Sequence, residues 1–120
     1  MTKIKNIIST KFNNVKLFEV TSHSDPRGSF REIFNDEVQS LVGDEISFIQ
    51  DNESYSKHGA LRGLHFQNTP SEQSKLIRVS QGEIQDVIVD IRVTSETYGE
   101  WESFILSSDN NRSLFVPRGF

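Results

Sequence analysis

The chain has 120 residues, one domain's worth on the usual prior of roughly 100–200 residues per domain. Its 34% apolar residues and seven glycines suffice for one real core and exclude a disordered chain. Thirteen Lys and Arg against 17 Asp and Glu give a net charge of −4, which argues against non-specific nucleic-acid binding, and the lack of cysteine excludes disulfides, thiolate metal sites and cysteine nucleophiles.

Residues 15–20 alternate as a strand, with Val15, Leu17 and Glu19 on one face and Phe18 and Val20 on the other. Ser24-Asp25-Pro26-Arg27-Gly28 is a turn, since Pro fixes φ and Gly accepts φ > 0; a strand follows over residues 29–34. Residues 35–43 hold the best helical spacing, through Val38, Leu41 and Val42. Further strands are expected at residues 46–50, 60–67, 75–80, 83–92, 101–107 and 114–116, with Ser80-Gln81-Gly82-Glu83 as a tight hairpin joining two of them. Within residues 83–92, Val87, Val89 and Ile91 face one way and Ile88 the other, beside Asp86 and Asp90. That pattern suits a barrel wall whose inside holds a polar site. Trp101 and the phenylalanines are expected in the core, Phe30 alone being held open as a stacking platform. There is no internal repeat or linker, so residues 1–120 are read as one all-β sandwich or barrel domain. No run approaches the roughly 18 apolar residues of a membrane span, and no basic segment followed by an apolar stretch opens the chain. A soluble, cytoplasmic protein with no membrane partner is expected.

Three histidines are candidates for chemistry: His23, His58 and His65. Only His65 has a context, because strand alternation puts Leu61, Gly63, His65 and Gln67 on one face, a poor core and a plausible pocket lining. A metal-binding cupin strand carries two His two residues apart; here the second position is Gln67, so no metal is expected. His65 is then a candidate general base. Lys75 or Arg78 would supply positive charge to a developing oxyanion. Arg27 and Arg62 are the other cations of interest; alternation sets Arg62 opposite His65 unless a bulge at Gly63 re-aims it. Gln50 and Asn52 share a strand face, as a donor–acceptor pair that reads a nucleobase edge would.

Asp25-Pro26-Arg27-Gly28-Ser29-Phe30-Arg31-Glu32, Phe48-Ile49-Gln50-Asp51-Asn52, Arg62-Gly63-Leu64-His65-Phe66-Gln67, Gln73-Ser74-Lys75-Leu76 and residues 82–92 together resemble the dTDP-4-dehydrorhamnose 3,5-epimerase family, as does the closing Val116-Pro117-Arg118-Gly119-Phe120. The resemblance implies a double-stranded β-helix of the cupin type (a jelly roll), metal-free and homodimeric, with no cofactor. It implies an isomerase that inverts C3 and C5 of a dTDP-linked 4-keto-6-deoxyhexose, in deoxysugar biosynthesis. His65 would be the base, Lys75 would steady the enolate oxygen, and Arg27 and Arg62 would hold the diphosphate. Glu32, Gln50 and Asn52, with Phe30, would orient the nucleotide. In the family the segment bearing Arg27 and Glu32 tends to serve the neighbouring subunit's site. Family members continue past the Pro-x-Gly-Phe motif with a His, a reprotonating Tyr and an Asp that hydrogen-bonds the catalytic His, and Asp86 matches the partner of that later His. The chain is therefore expected to be the N-terminal portion of a longer protein. The alternatives are a one-centre epimerase or ketosugar isomerase, or a sugar-nucleotide-binding module without turnover.

Overall fold

The computed structural model describes residues 4–120. Eight strands and one helix follow in the order β1 (Ile4–Ile8), β2 (Lys16–Val20), β3 (Ser22–Asp25), β4 (Gly28–Arg31), α1 (Asp36–Val42), β5 (Lys75–Arg78), β6 (Glu83–Val89), β7 (Trp101–Ser107) and β8 (Arg112–Val116). The all-β expectation holds. Strands β1-β2-β8-β5 form an antiparallel sheet, while β3-β4 and β6-β7 are two-stranded antiparallel pairs.

Strands β2 and β8 run through the middle of the four-stranded sheet and are apolar on both faces. Leu17, Leu114 and Val116 point into one cluster with Phe12, Val15, Ile88, Phe104 and Leu106. Phe18, Val20 and Phe115 point into a second, with Ile4, Val38 and Val42. The period-2 alternation read at residues 15–20 thus sends both faces into apolar packing, as a central covered strand requires. The result is three layers, with α1 on one face of the sheet and β6-β7 on the other.

The helix forms where expected and its ends are chemically specified. Asn35 caps it, its side-chain oxygen accepting from the Val38 amide at 3.0 Å; Asp36 and Glu37 sit in the first turn, where the helix dipole favours acids. Gly43, at φ +113°, ends it and donates its N–H to the Gln39 carbonyl. Val38 and Val42 are the buried stripe.

Several expectations are corrected. Residues 46–50 and 60–67 form no strand and belong to no sheet, and their side chains are almost all exposed. Residues 80–82 do bend, with Gly82 at φ +85°, but β5 pairs with β8 and β6 with β7, so the bend passes the chain between sheets and closes no hairpin. Trp101 is 57% exposed and lies outside the core, as do Phe34, Phe48 and Phe66. On β6 the face carrying Asp86 and Ile88 turns inward as read, but Ile88 on it lies in the apolar core. β1 and β3 are additions that alternation did not reveal.

Just past β6, Asp90 is fully buried and organises the loop to β7. Its carboxylate accepts from the Arg92 amide (3.0 Å), from Arg92 Nε and Nη2 (2.9 and 2.8 Å), and from the hydroxyls of Ser95 and Thr97 (2.7 and 2.5 Å). These donors, Arg92 foremost, hold its pKa well below the usual carboxylate range against the opposing effect of burial. Arg92 in turn lies 4.8 Å from the centre of the Phe120 ring, and Ile91 donates its N–H to the Gly119 carbonyl. The last residues are thereby fastened to the β6–β7 loop.

Candidate active site

The candidate residues are carried by three pieces of chain. The first is the β3-β4 arm. Its turn is built by Asp25, whose carboxylate accepts from the Arg27 amide at 2.8 Å and pairs with the Arg27 guanidinium at 2.6 Å. Those bonds hold the Asp25 carboxyl below its ordinary range. The pair is exposed, so its net worth is small and the guanidinium can exchange this carboxylate for another anion. Phe30 is opposite His23 in the arm and 68% exposed, free to stack on a ring. Glu32 follows β4 and is half-buried.

The second piece is the stretch of residues 46–74, which forms no strand or helix and carries Gln50, Asn52, Arg62 and His65. Gln50 Nε2 donates to Asn52 Oδ1 at 3.3 Å, so the two amides do share a side of the chain. Arg62 Nε donates to Ser56 Oγ at 2.9 Å. With no strand at residues 60–67, the alternation that opposed Arg62 to His65 does not apply, and neither does the bulge invoked at Gly63. Gly63 has another role. At φ +102°, a Cβ there would lie 3.0 Å from His65 Nδ1, so glycine is what lets the imidazole lie close over the backbone. His65 is exposed and, among the described residues, has no hydrogen-bond partner.

The third piece is the start of β5. Lys75 is exposed and opposite Val116, and its charge reaches Asp86, a half-buried carboxylate on β6. Burial raises the Asp86 pKa, and Lys75 offsets part of that rise. Arg78, the other candidate for the oxyanion, is at the far end of β5. Ser74 accepts from the Arg118 amide at 3.1 Å, which brings the closing motif alongside Lys75. No hydrogen bond or ion pair links His65 to Lys75 or Arg62 to either. Among the described residues, no group of three or more His, Asp or Glu is placed to hold a metal ion. None of their helices is long and apolar enough to cross a membrane.

A model of the dTDP-4-dehydrorhamnose 3,5-epimerase family matches residues 9–120, the stretch that carries every candidate residue above. The chain belongs to this family. A dTDP-4-dehydrorhamnose 3,5-epimerase of Shigella flexneri is 47% identical over 116 residues, covering 96% of this chain and 64% of that protein. The one from Methanothermobacter thermautotrophicus is 48% identical over 113 residues, covering 94% of this chain and 60% of its own length. The chain thus spans a little under two-thirds of these epimerases. Among solved structures, the Bacillus anthracis epimerase with TDP and PPi bound superposes with a TM-score of 0.88 at 50% identity, over 95% of this chain and 66% of that one. The Legionella pneumophila enzyme in complex with dTDP-4-keto-L-rhamnose matches equally well, at TM-score 0.88 and 43% identity, over 96% and 61%. The fold is the cupin-like β fold of these epimerases.

Two structural features were missed in the sequence. Arg31, inside the Arg27–Glu32 motif, reads as one more surface cation, and Asp90 as one more acid on a barrel strand. Arg31 is distinguished only by its partners Ser108 and Asn111, far off in sequence, and Asp90 by its burial among the donors Arg92, Ser95 and Thr97.

Proposed function

We propose that the protein to which this chain belongs is a dTDP-4-dehydrorhamnose 3,5-epimerase, a homodimeric, metal-independent enzyme of the cytoplasm, and that residues 1–120 are the N-terminal portion of its single cupin-like domain. His65 removes the proton next to the C4 ketone of a dTDP-linked 4-keto-6-deoxyhexose. The electron pair moves onto the ketone oxygen as an enolate, whose charge the Lys75 ammonium offsets. Return of a proton to the opposite face of the ring inverts the carbon, and the cycle at C3 and C5 gives the 3,5-epimer. Arg27 and Arg62 hold the diphosphate, for which guanidinium forks are suited. Phe30 stacks on the base, while Glu32, Gln50 and Asn52 orient the nucleoside.

The observation that carries this reading is the family match through residues 9–120, a stretch that contains His65, Lys75, Arg27 and Arg62. The ligands in the two solved relatives, TDP in one and dTDP-4-keto-L-rhamnose in the other, support the substrate class. The presence of Gln67 where a metal-binding cupin strand has its second His supports metal independence.

The test is solvent exchange. The full-length protein, incubated in D2O with its dTDP-4-keto-6-deoxyglucose substrate, should introduce deuterium at C3 and C5. His65→Ala should lose on the order of 10²–10⁴-fold in that exchange while still binding dTDP. Exchange at the parent's rate in the variant would remove His65 from its role, and exchange at one carbon only would favour the one-centre epimerase.

A further inference from the structure

The β3-β4 arm, which bears Arg27 and Phe30, stands off from the body across an open polar cleft of about 520 Å³. Its cleft-facing side is almost all serine: Ser22 pairs with Arg31 and Ser24 with Ser29, so all four project together. Hydroxyls facing water offer no apolar packing to fix the arm's angle. Arg31 crosses the gap. Its Nη1 donates to the Ser108 carbonyl at 3.1 Å and also to Asn111 Oδ1.

Both acceptors belong to the β7–β8 turn, which is held rigid by its own bonds. Ser107 Oγ accepts from the amides of Asp109 and Asn110, and Asn110 Oδ1 accepts from those of Ser107 and Arg112. Asn111 has φ +57°, a left-handed conformation that asparagine tolerates better than most side chains. Its backbone carbonyl accepts from the Val20 amide at 3.0 Å, at the end of β2 where the chain enters the arm. Its side chain accepts from Arg31, where the chain leaves the arm. One residue therefore holds the chain just before the arm and at its exit.

We infer that Arg31 and Asn111 form a latch that sets the position of the arm, and so act as positioning residues for dTDP binding by Arg27 and Phe30. The inference rests on the nucleotide-binding role proposed above for the arm. A charged donor shared between two neutral acceptors is a strong hydrogen-bonding unit, and its loss corresponds to roughly a tenfold change in an equilibrium that depends on it.

The experiment compares the full-length parent with Arg31→Ala, Asn111→Gly and Asn111→Asp. Asn111→Gly keeps the left-handed backbone and deletes only the acceptor; Asn111→Asp keeps an acceptor and adds charge. Calorimetric titration with dTDP should show Arg31→Ala and Asn111→Gly binding about tenfold more weakly. KM should rise in step, kcat should move far less, and amides of residues 22–31 should exchange faster with deuterium. Asn111→Asp should bind as the parent does. If the parent binds dTDP and Arg31→Ala binds it equally well, the latch is wrong. A fall in kcat with KM unchanged overturns it as well. If the parent itself fails to bind dTDP, the proposed function fails instead, and the hydrogen exchange of the arm still decides the latch: unaltered exchange in Arg31→Ala rejects it.

Discussion

Replacing Asp90 by Asn should destabilise the protein far more than its nearly unchanged shape suggests. The amide keeps one oxygen but presents an NH2 where a carboxylate oxygen now accepts from Arg92 Nη2, Ser95 Oγ and Thr97 Oγ1. Breaking a fully buried ion pair costs about 3–5 kcal/mol. Here the Arg92 side chain is 35% exposed, so water recovers part of its solvation, and a loss of about 2–3 kcal/mol is expected. That is a large part of a typical total of roughly 5–15 kcal/mol. Urea unfolding of the full-length protein should move its midpoint down by about 1–2 M. The pH dependence supplies an independent check. Because the folded-state pKa of Asp90 is depressed, its contribution is fully present above the unfolded value of about 3.9 and is lost as pH falls from there toward the folded value. The gap between parent and variant should therefore be full at pH 7 and already smaller at pH 3. A gap under about 0.5 kcal/mol at pH 7, the range of ordinary surface substitutions, or one that does not change with pH, would refute the reasoning.

Other outcomes follow from single residues. Asn35→Ala removes the cap from the Val38 amide and should cost about 1 kcal/mol, read as a shift in thermal midpoint. Gly119→Ala forces a Cβ to 2.5 Å from Arg92 Cγ at φ +95°; it should destabilise by about 1–3 kcal/mol, and Arg92→Ala in the same chain should relieve the steric share of that loss. Extended dialysis of the full-length enzyme against EDTA should leave the epimerisation rate unchanged, as followed by NMR of the sugar.

The parts of the fold legible in the sequence are those where a local signal and the tertiary environment agree. Lys16–Val20, Trp101–Ser107 and the capped helix Asp36–Val42 have apolar periodicity matching a packed face, and each lies where expected. The arm's turn was legible because Asp25-Pro26-Arg27-Gly28 specifies it locally, but Ser22–Asp25 has no apolar alternation, so its strand was not. Residues 60–67 failed for the opposite reason: Leu61, Leu64 and Phe66 read as strand residues, yet they are exposed on a chain with no strand beside it. The bend at residues 80–82 has hairpin chemistry, but which strands pair is decided by β8, more than 30 residues later. For the site, residue types and motif order pointed to His65, Lys75, Arg27 and Arg62. The contacts near them, such as Ser74 with Arg118 or Arg31 with Asn111, join segments 44 and 80 residues apart and leave no trace in local spacing.

The double-sided burial of β2 and β8 bears on how the molecule opens. Because Leu17 and Phe18 are neighbours in the chain yet face different clusters, neither cluster can come apart without exposing a wall of the other. Helix α1 and the β6-β7 pair lean on the same two strands from opposite sides, so the loosening of one is felt through that shared wall by its counterpart. The amides of β2 and β8 should thus be the slowest to exchange, opening only when the whole unit opens. The outlying arm, joined at its root, belongs to the opposite end of that scale, and its amides should exchange while the layers behind it stay shut.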